Sequence, residues 1–308
     1  MSWRIHLANQ AIQNLHVIPS KPPILAVWTR RNRVHYYDFT NGRLLSEMTL
    51  PAAPTGDRTQ DAWQAYLAQL VAPETHHHLP YVRAGNGTDI YSTDDGKLHL
   101  YCQSDDRLFI ATEANEAHVD LGDSQRLISV DLDRALGTMV GLDDACRLHV
   151  YQQQTRVGVF DIGLTRAPDL RPTVVVSRGG GNVYATDGQR VVATNTSGQI
   201  LTTREMHYYI GRMTCSPGGG MVITTDVEAG VMRVYRGEQL TLTHQKFAID
   251  LVAAANQVQL LADLPPVGTS VSALTAYNRG AIGFAMSGVV CVTNVEFMDE
   301  IPRPKALS

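Results

Sequence analysis

One pattern recurs along the chain and restricts its fold more than any other feature. In Tyr91-Ser-Thr-Asp-Asp-Gly-Lys-Leu-His-Leu-Tyr101 an apolar residue leads into an Asp/Gly turn, and the following segment alternates apolar and polar residues before ending on tyrosine. Val140-Gly-Leu-Asp-Asp-Ala-Cys-Arg-Leu-His-Val-Tyr151 and Ile223-Thr-Thr-Asp-Val-Glu-Ala-Gly-Val-Met-Arg-Val-Tyr235 repeat it. Trp28-Thr-Arg-Arg-Asn-Arg-Val-His-Tyr-Tyr37 is a fourth copy with a different turn, and Tyr184–Ala193 and Phe284–Val292 are shorter copies. Period-two alternation belongs to strands, and Asp and Gly supply the positive φ of a tight turn, so each copy reads as a β-hairpin.

Further strands flank the hairpins. Ile12–Val17, Tyr81–Ala84, Leu127–Asp131, Thr173–Ser177, Met213–Ser216 and Val271–Ala276 precede them. Arg43–Thr49, Leu108–Thr112, Val157–Ile162, Gln199–Thr203, Gln239–His244 and Val295–Ile301 follow them. That makes four strands per unit. The lead residues Tyr91, Val140, Tyr184 and Ile223 are 49, 44 and 39 positions apart. This is close to the period of about 40–45 residues of a propeller blade. A lone four-stranded sheet leaves both faces in water, whereas radial stacking buries them and keeps edges short. The expected fold is therefore all-β, a single β-propeller of four-stranded blades spanning residues 1–308.

The units resemble WD repeats. Val34-His-Tyr-Tyr-Asp-Phe-Thr-Asn-Gly-Arg-Leu-Leu45 is similar to that family's third strand and following turn, with Tyr37-Asp38 where Trp-Asp is usual. Tyr101, Tyr151 and Tyr235 stand at the same place, with Cys102, Gln152 and Arg236 replacing the aspartate, and Ser216-Pro217-Gly218 resembles the family's first turn. No unit carries Gly-His or Trp-Asp. The resemblance implies a geometry in which the turns between second and third strands and the connections between blades open on one face.

Two interruptions bear on the blade count. Residues 51–79 hold Ala62, Trp63, Tyr66, Leu67, Leu70 and Val71 at helical spacing, with Asp57 or Thr59 as cap and Pro73 just beyond, so an inserted helix is expected near 58–72. Residues 248–267 read as an irregular or truncated blade, with Leu251–Ala254 and Val258–Leu261 as a hairpin around Asn256. Setting aside about 28 inserted residues leaves about 280, or seven units of about 40. Seven blades are favoured on that ground; the six copies counted directly are the alternative. Trp3–Leu7 is expected to close the ring as the outer strand of the C-terminal blade.

No catalytic signature stands in the sequence: no nucleophile elbow, zinc-protease pair, phosphate loop or dinucleotide fingerprint. His76-His77-His78 is the sharpest metal-like signal, but in an extended chain only His76 and His78 share a side, and no acid or cysteine cluster completes the set. The acidic pairs Asp94-Asp95, Asp105-Asp106 and Asp143-Asp144 fall at or near turns, where aspartate accepts bonds from turn amides. Four cysteines without a C-x-x-C spacing give neither a zinc knuckle nor a disulfide framework. No cofactor is expected.

A net charge of −4, with only 18% charged residues, argues against a nucleic-acid surface and against a disordered chain. No secretory signal or membrane-length apolar run is visible, so a soluble cytoplasmic protein without membrane insertion is expected. The expected function is a non-catalytic platform for protein partners. Its candidate contacts are Arg30, Arg31, Arg33, Trp63, Tyr66, His76, His78, His207, Tyr208 and Tyr209, residue types suited to interfaces and gathered on the one face. The alternative is a propeller enzyme or a small-ligand or metal sensor that uses the central channel, as lactonase propellers do.

Overall fold

The computed structural model describes residues 2–7, 10–18, 21–29, 33–49, 127–133, 138–152, 155–178, 181–257 and 269–301, together with the backbone of the strands within 81–120. The expected helix near 58–72 lies outside these residues.

After β1 (Trp3–His6), the strands follow in sheets in chain order. The first sheet holds β2 (Ile12–Ile18), β3 (Ile24–Thr29), β4 (Arg33–Asp38) and β5 (Leu44–Thr49). The second holds β6 (Tyr81–Ala84), β7 (Thr88–Ser92), β8 (Leu98–Ser104), β9 (Arg107–Thr112) and β10 (Glu116–Asp120). The third holds β11 (Leu127–Asp133), β12 (Thr138–Asp143), β13 (Leu148–Gln152) and β14 (Thr155–Phe160). The fourth holds β15 (Thr173–Val176), β16 (Val183–Thr186), β17 (Arg190–Thr194) and β18 (Ile200–Glu205). The fifth holds β19 (Ile210–Cys215), β20 (Met221–Asp226), β21 (Val231–Arg236) and β22 (Thr241–Phe247). Then come α1 (Ala248–Ala254), β23 (Asn256–Gln257), and the last sheet with β24 (Ala273–Ala276), β25 (Ala281–Met286) and β26 (Val289–Asn294). A final strand, β27 (Asp299–Glu300), returns to pair with β22.

The second strand of each fully described sheet is covered on both faces. β12 and β16 are buried throughout, and only the first residue of β3, β20 and β25 is half-buried. These strands pack between neighbouring sheets, and the core is accordingly a series of separate interfaces. Val140, Leu142, Leu148 and Val150 of the third sheet meet Val174, Val183, Ala185 and Val192 of the fourth. Tyr184, Val191 and Ala193 of the fourth meet Val222 and Tyr235 of the fifth. Ile223, Met232 and Val234 meet Phe284, Met286 and Cys291 of the last. Ala285, Val290 and Val292 meet Leu15, Leu25, Val27 and Tyr37 of the first. Each fully buried aliphatic or aromatic side chain contributes about 1.5–3 kcal/mol.

This is a β-propeller with four-stranded blades as its repeating unit, but its count corrects the expectation. Five blades, the third to the last and then the first, are joined in chain order through neighbouring innermost strands, β11, β15, β19, β24 and β2. The second sheet meets this series where β10 lies beside β14. Among the described residues there are neither seven blades nor a uniform ring of six. The residue arithmetic fails because it assumes units of equal length.

Two further expectations are corrected. Val295–Ile301 does not form the outer strand of the last sheet: Val295–Phe297 is a 3₁₀ turn, and β27 leaves for the fifth sheet. Residues 251–254 are not strand but the end of α1, which buries Ala248, Leu251 and Val252 at helical spacing against the last sheet. A short Ala/Leu/Val run fits either period, and tertiary burial decides it.

The outer strand of the last sheet is β1, as expected. It pairs antiparallel with β26, Trp3 opposite Val292 and His6 opposite Val289, and its other edge takes β23 in parallel. Trp3 and Ile5 are buried, and Trp3 Nε1 donates to the Phe39 carbonyl in the first sheet at 2.9 Å. The strand thus ties the last sheet to the first. Deleting residues 2–7 removes a buried Trp and Ile and bares the β26 edge. The expected result is a melting temperature lower by at least about 10 °C, measured by circular dichroism.

Candidate functional site

The turns between second and third strands are built by an aspartate that closes the second strand. Asp143 Oδ1 accepts from the amides of Ala145 (3.0 Å) and Arg147 (2.8 Å). Asp187 accepts from Gln189 (2.9 Å) and Arg190 (2.8 Å). Asp226 accepts from Glu228 (2.8 Å) and Ala229 (3.2 Å). Each carboxylate also meets a basic side chain on or leading into the third strand: Arg147 Nε and His149 Nε2 at 2.8 and 3.0 Å from Asp143, Arg190 Nε at 3.2 Å from Asp187, Arg233 Nη1 at 3.5 Å from Asp226. These aspartates shape turns, as the sequence reading of Asp143 holds. Asp144 points outward to Arg166 at 2.5 Å. Asp94-Asp95 and Asp105-Asp106 lie outside the described residues.

The connections between blades lie across these turns. The amides of Met206 and Ile210 donate to Gln189 and Gly188, Val227 donates to Tyr209, Ala248 to Gly230 and Leu7 to Gly288, all between 2.7 and 2.9 Å. Strand turns and connections therefore share one face, as the WD-repeat resemblance implies.

The four candidate contact residues that are described fall on that face with different fates. Arg33, at the start of β4, and His207 are exposed. Tyr209 is 45% exposed. Tyr208 turns inward: its hydroxyl bonds Thr224 Oγ1 at 2.6 Å and the Tyr235 hydroxyl at 2.9 Å, and the Arg233 guanidinium stacks 3.8 Å over its ring. Tyr208 anchors the connection that presents its neighbours. Arg30, Arg31, Trp63, Tyr66, His76 and His78 lie outside the described residues. Sequence reasoning missed Val227 and Phe247. They sit at the same end of the fifth sheet and are 42% and 48% exposed. A large apolar residue directly after the turn aspartate, Asp226-Val227, was the available signal.

The innermost strands enclose a channel of about 960 Å³, lined among others by Asn14, His16, Ser129, Asp131, Arg212 and Cys215. Several of its polar groups join neighbouring blades. Ser129 Oγ and Asp131 Oδ2 accept from the amides of Val174 (3.0 Å) and Val176 (2.8 Å), and Arg212 Nε donates to the Ser272 carbonyl (2.8 Å). Among the described residues no group of three or more His, Cys, Asp or Glu is gathered closely enough to hold a metal ion. No described helix is long and apolar enough to cross a membrane.

The third-strand tyrosines pack inside the blades. Tyr37, Tyr151 and Tyr235 are buried; Tyr151 stacks on His149 and Tyr37 on His35, each at 6.4 Å between centroids. His149 Nε2 faces the Asp143 carboxylate, so it carries the proton, and Nδ1 receives the Tyr151 hydroxyl at 3.4 Å. Burial lowers the His149 pKa below 6.5, against the pull of Asp143. Burial pushes the Asp143 carboxyl up, but bonds from His149 and Arg147 outweigh it and leave the pKa below the ordinary 3.8.

No protein-family model and no curated protein sequence matches the chain. Among solved structures 1424 chains match, so the likeness marks an architecture and not an activity. One of them is the crystal structure of Raptor from Chaetomium thermophilum, at 10% identity and a TM-score of 0.55. The match covers 96% of this chain and 25% of that one, so this chain spans a quarter of that protein's length. At this identity the comparison shows a shared fold.

The His149–Asp143 pair contributes to the acid response of the fold, alongside His35, whose pKa burial also lowers. The unfolded histidine, with a pKa of about 6.5, binds a proton before the folded one does, so stability is full above about pH 7 and falls as pH drops through 6.5 toward the lowered folded value. Asp143 adds a further loss below about pH 4, as its lowered folded pKa is approached. Urea unfolding at pH 8, 6 and 5 is expected to show the first decline, and His149→Gln to reduce it, with the remainder lost when His35→Gln is added. Asp143→Ala strands a buried imidazole N–H and two turn amides and is expected to cost about 2–4 kcal/mol at pH 7.

Proposed function

We propose that this chain is a non-catalytic, cytoplasmic protein-interaction module, a scaffold or a subunit of a larger complex. It binds its partner through the face formed by the second-to-third strand turns and the connections between blades. The observation that carries this reading is the set of large side chains left in water there: Tyr209, Val227 and Phe247, with His207 and Arg33 on the same face. Exposed aromatic and apolar residues rimmed by polar ones mark contact surfaces. The surface is held by hydrogen-bonded turns and by the half-buried Tyr208 anchor, so little ordering opposes binding.

Affinity capture with the full chain tests this. A stoichiometric protein partner is expected, lost when Tyr209→Ala and Val227→Ser are combined and weakened by Arg33→Ala. It should be retained by Leu44→Ser, which removes an exposed apolar side chain at the end of β4 and β5 away from Arg33. A partner held equally by all variants, or released equally by all, would count against the proposed face.

A further inference from the structure

The outermost strand of a sheet carries unpaired backbone N–H and C=O groups, a template for one more strand. The chain covers two of its own edges in this way, with β23 on β1 and β27 on β22. The second case shows how. β22 is bulged at Thr243, where one extra residue stands between the pairs Val234–His244 and Tyr235–Leu242. The Ile301 amide donates to the Thr243 carbonyl at 2.8 Å. Glu300 stands opposite His244 and Asp299 opposite Gln245, and the Asp299 carboxylate lies 3.3 Å from Lys246 Nζ.

The same bulge occurs on β5, β14 and β18, at Leu45, Val157 and Leu201. β18 matches β22 position by position: Leu201 for Thr243, Thr202 for His244, Thr203 for Gln245 and Arg204 for Lys246. The two sheets also begin alike, Ser177 Oγ accepting from the Asn182 amide and Ser216 Oγ from the Met221 amide, both at 3.0 Å. Yet among the described residues β18 is the last strand of its sheet. The difference shows in burial. Residues 242–246 of covered β22 are all half-buried, whereas Ile200 and Leu201 are 46% and 39% exposed. β5 runs into residues that are not described and β14 has β10 beside it, whereas β18 lies between two fully described sheets.

We infer that the β18 edge is a docking site for an extended segment of a partner protein. The segment adds antiparallel as a fifth strand and reads acid-any-apolar, as the chain's own Asp299-Glu300-Ile301 does on β22. The apolar residue's amide bonds the Leu201 carbonyl through its second lone pair, the first being taken by the Thr202 hydroxyl at 2.8 Å, and its side chain covers Ile200 and Leu201. The acid meets Arg204, whose guanidinium donates to the Leu240 carbonyl through Nη1 and keeps other donors. Backbone bonds give affinity and the two side chains give selectivity. This edge lies on the rim of the fourth sheet and does not depend on the face proposed above.

The test uses the full chain and a fluorescent peptide with the sequence of residues 297–302, Phe-Met-Asp-Glu-Ile-Pro. Anisotropy is expected to show saturable binding of one peptide per chain. At least a tenfold loss (about 1.4 kcal/mol) is expected both for Leu201→Glu and for a peptide N-methylated at its isoleucine. The methylated peptide leaves the protein unaltered, so the result stands even if the variant folds poorly. Binding absent at about 1 mM peptide overturns the proposal, since strand addition at this level is too weak to recognise a segment. Binding indifferent to Leu201→Glu overturns it too, because the peptide has then replaced the chain's own strand on β22. Binding indifferent to N-methylation excludes strand pairing.

Discussion

Each fully described sheet has a middle strand that is apolar toward both sides, so each sheet must be covered twice. That requirement organises the rest of the molecule. A two-layer sandwich covers one face of each sheet, whereas radial packing covers both, and the core becomes a succession of interfaces of similar make-up. Radial packing in turn brings the innermost strands together with one edge each unpaired. The chain satisfies those edges with side chains from the preceding or following blade, such as Asp131 on Val176 and Arg212 on Ser272. Polar residues in the channel are thus part of how the blades are joined.

The same logic extends outward to the turns. An aspartate buried at the end of a second strand has to be solvated by the protein itself, and the turn amides and third-strand basic residues do so. In doing so they fix the loop conformation, and the fixed loops supply carbonyls and amides on which the inter-blade connections rest. The exposure of Tyr209 and Val227 is the outer end of this chain of contacts. A buried polar network in the third to fifth sheets and a water-facing apolar surface are therefore linked by geometry.

The hairpins were legible because their information is local: turn aspartates, glycines and two-residue alternation lie within a dozen positions. Closure by residues 3–7 was legible because a ring needs an outer strand and one alternating segment was left over. What escaped had non-local causes. Ala248–Ala254 is helical because one of its sides meets the last sheet. Val295–Ile301 has a strand-like pattern, but β1 already occupies the edge it would have taken. The blade count rested on equal unit lengths, and residues 248–257, a helix and an added strand on the edge of the last sheet, lie outside the four-strand repeat. Tyr208 and Tyr209 are identical in sequence terms, and only the position of Tyr235 and Arg233 decides which one is packed.

The placement of β1 has a consequence for how the molecule comes into being. The strand leaves the ribosome before any sheet it touches, yet its partners are residues 289–292, some 280 positions later. Until those arrive, Trp3 can reach Tyr37 and Phe39 of the first sheet, but the strand lacks its antiparallel backbone partner. The third to fifth blades can assemble pairwise during synthesis, each on its predecessor, but the join to the first waits for the last sheet. A strand made before every blade it joins is thus among the last to find its place. During that interval the strand is an extended apolar segment without its sheet, the kind of surface that chaperones hold.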